Sequence, residues 1–479
     1  MNIISIMSDE HSGSAIFSSG DRYAVSPALD RMAGHGVTFS NAYTSCPLCV
    51  PARASWFTGQ YVCRLGTWDN STPYDGKVLG IAEHMEKNGI PVYQIGKTHF
   101  HCDGEYHFAG GDNLGLLRIP DLGCYYRDDH VVRIGAEKRF QEIGISDGTE
   151  RFDDKVLKST LSWLDEHKDA QEPWVLQVGF IEPHFPFHVR QENWDYFEKL
   201  FGDEELPKEM LPPYTSLNDS LLSLRRYFFG EMATEEIIRK VRIGYYAAIK
   251  ELDEKIGLIL DKVSQLGLDD DTMIVYTSDH GEQLGYHGLW WKCCMFEQSA
   301  RIPMIVSFSN CGKRVVPEPV SLVDLFPTIC DAMGVPLPEH IDGQSFWPLV
   351  QGKDAGDRRD FAFSEFNAHG LPGGMFMIRW KNYKYVFYTE DAPQLFNLEA
   401  DPLENHDLVQ EQGDVPEVQA VLDECWNRLS SVCDPFEVTS RAKAFQKEMK
   451  RKLELPDEYL IGRGGAFVPH PDYAGVVER

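Results

Sequence analysis

The run SCPLCVPARASWFTGQY, residues 45–61, sets Cys49, Pro51, Arg53 and the pair Thr58-Gly59 close together. Pro51 suits a first helical turn, Ala52 to Phe57 can continue the helix, and Gly59 suits its exit. Cys49 then stands at a helix N-terminus, where unpaired amides and the macrodipole favour an anion. A thiolate is favoured there as well. The residues alone leave two readings open: a reactive cysteine below an anion site, or a buried structural thiol.

Other chemistry-bearing residues follow apolar runs. Ile3 to Met7 leads into Asp9, Glu10 and His11, and Val92 to Ile95 into Lys97 and His99. Trp174 to Phe180 leads into Glu182 and His184, Met273 to Thr277 into Asp279 and His280, and a fifth run covers Met304 to Phe308. Helical patterns at Pro27 to His35, Leu79 to Asn88 and Glu235 to Leu266 lie between them. This alternation predicts a mostly parallel sheet covered on both faces. Ligands bind beyond the carboxyl ends of strands in such sheets, so the four polar clusters are expected to converge.

The elements belong to a chain of 479 residues, 43% apolar and 25% charged, which reads as a soluble globular protein with one large core and a smaller second unit. Its net charge of −28 argues against a nucleic-acid partner, and any anionic substrate needs a local positive island. MNIISIM lacks a basic region and meets Ser8-Asp9-Glu10, so it reads as a first strand rather than a signal peptide or membrane span. Eleven cysteines without a spacing pattern suggest reduced thiols, and the expected location is cytoplasmic, with no membrane partner.

The texture changes near Asp357 to Glu365, dividing a catalytic domain, 1–360, from a C-terminal α+β subdomain and tail, 361–479. Within the latter, the residues from Met375 onward alternate as an antiparallel hairpin turning at Lys381-Asn382. A helix around Val415 to Val432 follows, then the basic run SRAKAFQKEMKRKLELP, read as a solvated helix face. The tail from Gly462 suits a cover for a neighbouring surface or a second subunit, which leaves a homo-oligomer open.

Cys49-Val50-Pro51-Ala52-Arg53 followed by Thr58-Gly59 resembles the C-x-P-x-R-x-x-x-x-T-G signature of the type I sulfatases, in which a maturation enzyme oxidises the cysteine to Cα-formylglycine. Asp9, GKTHF at Gly96 to Phe100, EPHFPF at Glu182 to Phe187, SDHGEQLGYHGLWWK at Ser278 to Lys292 and the C-terminal QLFNLEADPLEN extend the resemblance over essentially the whole chain. It implies an α/β, alkaline-phosphatase-like sandwich: a large mostly parallel sheet flanked by helices, with a smaller C-terminal antiparallel sheet.

The resemblance also implies the chemistry. Formylglycine at position 49, hydrated to a geminal diol, attacks sulfur through one hydroxyl and expels the alcohol; the second hydroxyl then eliminates sulfate. An unmodified cysteine cannot complete that cycle. The implied metal ligands are Asp9, Asp279, His280 and residue 49. Glu10 stands where many members carry a second aspartate, which leaves its ligation open. Hard oxygens suit Ca²⁺, while the imidazole at 280 admits Mn²⁺ or another divalent ion. Arg53 is implied to hold the hydrated aldehyde, with Lys97 and His99 flanking it and with His184 and Lys292 binding sulfate. His101, His107 and His287 read as satisfied loop histidines. General acid and base remain unassigned among these groups.

For the substrate, the motifs resemble choline sulfatases and carbohydrate sulfatases. In SEFNAHG, His369 stands where choline sulfatases typically carry a glutamate, and an imidazole is a poor partner for a trimethylammonium group. His369, Glu365 and Asn367 suit sugar hydroxyls or an acetamido group instead. The expected substrate is a small sulfated sugar, such as an N-acetylhexosamine from a glycosaminoglycan. Choline sulfate, with a cage from Trp68, Tyr125 or the C-terminal tail, and a phosphonate or phosphate ester are the alternatives; a non-catalytic binding protein is the remaining class.

Overall fold

The computed structural model describes residues 1–455 except 118–120, 128–131, 134, 147, 149, 203 and 355, so the tail from Gly462 lies outside the described residues. Eight strands build the main sheet: β1 (Asn2–Ser8), β2 (Val37–Phe39), β3 (Val92–His101), β4 (Gly110–Leu117), β5 (Val175–Gly179), β6 (Thr272–Ser278), β7 (Met304–Ser307) and β8 (Arg314–Val316). Their order is β8-β2-β7-β6-β1-β5-β3-β4. The five from β6 to β4 run parallel, whereas β7 is antiparallel to both its neighbours.

The central strands are apolar on both faces because both are covered. Ile4 and Ile6 pack with α1 (Pro27–His35) and the 31-residue helix Glu235–Gln265, whereas Ile3 and Met7 point to the layer containing Ala52, Phe57 and Phe326. That second layer includes α2 (Cys49–Thr58), the helix that opens on the candidate nucleophile. Gly59 ends it at φ 66°, its N–H donating to the Ser55 carbonyl at 2.9 Å.

Strand β3 differs from its expected length. It continues past Ile95 to His101, with pairing to β4 shifting register at Gly96 and again before His101. Gly96 takes φ +85°, and a Cβ there would lie 2.2 Å from the Gly179 carbonyl oxygen, so the close approach to β5 requires glycine. Lys97 and His99 are therefore carried within an irregular strand rather than on the loop after it.

The C-terminal sheet is fully antiparallel, with β9 (Phe361–Phe366), β10 (Met375–Trp380), β11 (Tyr383–Tyr388) and β12 (Gln394–Asn397) in sequential order. The hairpin turns at Lys381-Asn382 as expected, pairing Trp380 with Tyr383. Its apolar side is continuous with the core around the nucleophile loop, and the Glu365 N–H donates to the Ser45 carbonyl at 3.0 Å. The basic run forms the second half of a helix over Pro435–Lys452. One face is solvated, but Gln446 is buried on the other, donating to Asp69 Oδ2 at 2.8 Å and to the Asn367 carbonyl at 3.0 Å.

Candidate active site

Strands β3, β5, β1 and β6 are adjacent and parallel, so their carboxyl ends open onto one place, where α2 presents Cys49. Cys49 Sγ lies 3.2 Å from His280 Nε2 and 3.7 Å from Asp9 Oδ1. His280 Nε2 is also 3.8 Å from Asp9 Oδ1 and 3.7 Å from Asp279 Oδ1. All four residues are buried. The Val50 amide at the head of α2 is already used, donating to Asn70 Oδ1 at 3.1 Å.

These groups fit a divalent cation. Two carboxylate oxygens, one imidazole nitrogen and the side chain of residue 49 face one another within ligating range. His280 Nδ1 lies 3.0 Å from the Gly281 carbonyl, an acceptor only, so Nδ1 carries the hydrogen and Nε2 is aimed at the cluster. Burial opposes a charged His280, yet Asp279 and Cys49 raise its pKa to about 9, which shows how strongly the cluster attracts positive charge.

The same carboxylates are anchored from behind by cations. Buried Arg53 donates through Nε to Asp279 Oδ2 at 2.7 Å and through Nη2 to Asp9 Oδ2 at 3.3 Å, and its Nη1 donates to the Lys97 carbonyl at 3.0 Å. Lys97 Nζ pairs with Asp9 Oδ2. Burial pushes the Asp9 pKa up, but Lys97, His184, Arg53 and His280 outweigh it and hold Asp9 well below the usual carboxylate range. On the other side, Lys292 Nζ donates to His184 Nε2 at 2.7 Å and to Glu10 Oε2 at 3.2 Å. His184 Nδ1 donates to the Phe185 carbonyl at 2.6 Å, leaving Nε2 as the acceptor. Burial and then Lys292 depress the His184 pKa. The cations Arg53, Lys97 and Lys292 are thus each paired with a carboxylate of the site, Asp279, Asp9 and Glu10, rather than forming an unbalanced positive patch.

A sulfatase family model matches residues 1–335, well over half of the chain, and a model described as N-sulphoglucosamine sulphohydrolase, C-terminal, matches residues 285–432. The choline-sulfatase of Rhizobium meliloti (strain 1021) is 32% identical over 428 residues, 85% of this chain and 82% of that one. The chain belongs to the sulfatase family. It is a sulfuric ester hydrolase. Arylsulfatase K of Homo sapiens is 26% identical over 482 residues, 96% of this chain and 87% of that one. The phosphonate monoester hydrolase of Agrobacterium radiobacter shares the fold with a TM-score of 0.75, at 22% identity over 90% of this chain and 96% of its own. A protein solved with its substrate D-glucosamine-2-N,6-O-disulfate superposes with a TM-score of 0.71, at 21% identity over 92% and 98%. These likenesses establish the alkaline-phosphatase-like fold.

Within this sulfatase, the remaining expected residues are distributed unevenly. Glu10, at φ 69°, faces Lys292 and His184 (3.3 Å) rather than the Cys49 cluster, and its Oε1 is buried without a partner among the described residues. His99 lies beside Lys97, its Nδ1 buried and unpartnered among the described residues, its pKa driven well down by burial and then by Lys97. Glu182 turns away to Lys255 at 2.8 Å, and His11 turns to the Tyr276 hydroxyl at 2.5 Å. His101, His107 and His287 all have partners: the Asp103 amide, Glu86 and the Leu403 carbonyl.

The three substrate candidates lie on three different neighbours. His369 Nε2 is 3.6 Å from Cys293 Sγ, next to Lys292, and its ring packs against Tyr227, 5.1 Å between centroids. Glu365 accepts from the Cys63 N–H at 2.7 Å, and Asn367 accepts from the Thr439 hydroxyl at 3.0 Å. Trp68 is buried with the Arg441 guanidinium 5.6 Å from its ring.

Sequence reasoning passed over three residues. Glu282 is buried against Glu10 and accepts from the Leu284 and Trp291 N–H groups at 2.7 and 2.9 Å, fixing the loop that delivers Lys292. Tyr245 bridges the Ser12 N–H and the Glu10 carbonyl, both at 2.9 Å. Arg139, on a short helix at Lys138–Glu142, lies over Phe185. Glu282 stands inside a quoted motif and was open to notice; the other two carry no local signal.

Proposed function

We propose that this sulfatase, matured by oxidation of Cys49 to formylglycine and loaded with one divalent cation at Asp9, Asp279, His280 and residue 49, releases sulfate from a small sulfated sugar such as an N-acetylhexosamine of glycosaminoglycan origin. The observation that carries the reading is the four-group cluster with its split carboxylates: Oδ2 of each aspartate is held by Arg53, while Oδ1 faces Cys49 and His280. Asp9, Asp279, His280 and residue 49 would hold the cation, Ca²⁺ or another divalent ion, which would supply Lewis-acid polarisation there. Arg53 orients both aspartates, Lys97 holds Asp9 charged, and Lys292, positioned by the acceptor Nε2 of His184, binds the sulfate oxygens by charge-assisted donation. A formylglycine-generating enzyme is the required partner, acting before Cys49 is buried in the folded chain.

The identity with the Rhizobium meliloti choline-sulfatase supports a second reading, choline sulfate. Against it stands the aromatic group nearest Lys292: the rings of Phe185, Phe228 and Trp291 are already occupied by the guanidinium of Arg139. A quaternary ammonium needs such a cage free of like charge. Sulfate release from sulfated N-acetylhexosamines and choline sulfate, set against alcohol release from a phosphonate monoester, decides between them. Preference for a sulfated sugar is expected, and preference for choline sulfate or the phosphonate overturns the reading.

A further inference from the structure

Arg139 is a half-buried cation whose side chain has no hydrogen-bond or ion-pair partner among the described residues. Its Cζ lies 4.2 Å from the Phe185 centroid and 5.6 Å from those of Phe228 and Trp291. Aromatic faces stabilise a guanidinium through its flat face, but they do nothing for the five N–H donors around its edge. Taking those donors from water without an acceptor costs free energy, so a partner from outside the chain is the natural complement. Burial, then Arg133, lowers the Arg139 pKa to about 10, with Asp121 and Glu10 opposing, in keeping with a cation whose counter-charge is missing.

The neighbouring arginine shows the contrast. Arg133 donates to Asp121 Oδ2 at 2.7 Å and is neutralised by it. Arg139 has no such carboxylate among the described residues, yet it shares the Phe185 ring with Lys292, whose Nζ lies 4.9 Å from that centroid. His184, bonded to Lys292, lies tilted against the same phenyl ring, 4.2 Å between centroids. The guanidinium, unpaired among the described residues, thus sits on the wall that also carries Lys292.

We infer that Arg139 reads a second anionic group of the substrate, a carboxylate or a second sulfate, while the scissile sulfate rests at Lys292 and His184. The preferred substrates are then sulfated saccharides with at least two negative groups. The fork of the guanidinium matches the paired oxygens of either anion, which a lysine cannot reproduce. This inference rests on the sulfated-sugar reading above and narrows it.

The test compares kcat/KM of the formylglycine-bearing, metal-loaded enzyme for a monosulfated N-acetylhexosamine, a sulfated hexuronate-containing disaccharide and a disulfated hexosamine. Wild type is expected to favour one doubly charged substrate by about 10- to 100-fold, the size of a hydrogen bond to a charged group. Preference for the hexuronate assigns the carboxylate, and preference for the disulfated sugar assigns the second sulfate. Arg139→Met is expected to bring the ratio close to one, chiefly through KM, and Arg139→Lys to keep part of it. Should Arg139→Met fail to fold, as judged by its melting transition, the wild-type ratio and the lysine variant decide. Equal use of all three sugars by wild type, or a ratio unchanged in the variants, overturns the inference while leaving a carbohydrate sulfatase in place. Absence of turnover on every sugar, with turnover of choline sulfate or the phosphonate, overturns both.

Discussion

Asp9 and Glu365 are both wholly buried carboxylates, yet their pKa values are driven in opposite directions. Asp9, at the end of β1, sits among Lys97, His184, Arg53 and His280, which overcome its burial and keep it ionised. Glu365, on β9 of the C-terminal sheet, is raised by burial to about 7; the Cys63 hydrogen bond and Arg441 only partly offset this, and Asp342 adds to it. Burial alone always favours the neutral acid, so a buried carboxylate stays charged only where the fold delivers cations to it. The C-terminal sheet follows the same rule: Lys384, wholly buried on it, is paired with Glu297 and Glu404, whereas Glu365 has no ion-pair partner among the described residues. That difference separates a carboxylate surrounded by cations from one left to its burial.

If the strand-end region is the reactive one, Cys49→Ala should lower sulfate release by at least about 10⁴-fold, as loss of a covalent nucleophile does elsewhere. A smaller loss, measured with matched protein concentrations, would mean that another group begins the reaction. Removing one negative ligand tests the cation's share. Asp279→Asn is expected to reduce bound divalent metal, read by mass spectrometry, and to lower kcat by about 10²- to 10⁴-fold. Chelation should do the same to wild type, with recovery on adding the ion back. Lys292→Ala should cost about 10²- to 10³-fold, the size of one charged donor to a developing anion.

Glu365 gives the smallest effect and a different readout. Its pKa in the fold is about 7, above its ordinary value of 4.5, so between those values the folded chain binds more protons than the unfolded one. Stability therefore falls as pH rises through that window. Glu365→Gln keeps the shape and removes the ionisation. At pH 8 it should be more stable than wild type by about 1–3 kcal/mol, with the gap closing toward pH 5. Denaturant melts at the two pH values check it, and an equal gap at both would show that Glu365 is not protonated in the fold.

How much of this could be read from the chain follows from the same contrast. Parallel strands deliver their carboxyl ends to one place, so Asp9, His184, Asp279 and His280 were legible from apolar runs followed by polar residues. Cys49 and Arg53 sit in one contiguous motif. Lys97 and His99 were found but placed beyond their strand, because the apolar pattern stops at Ile95 while the backbone continues through the irregularity at Gly96. Glu182 has the same local texture as His184, and only its tertiary partners, Lys255, 73 residues away on the long helix, and Arg151, explain why it turns aside. Arg139, on a five-residue helix without a motif, gains its meaning only from three rings brought together by tertiary packing.

The most direct test of the account is sulfate release measured against the fraction of residue 49 present as formylglycine, with that fraction read from the mass of the 45–61 peptide. The account predicts activity proportional to the modified fraction and none in chains that keep the Cys49 thiol. Equal activity in modified and unmodified preparations would contradict it.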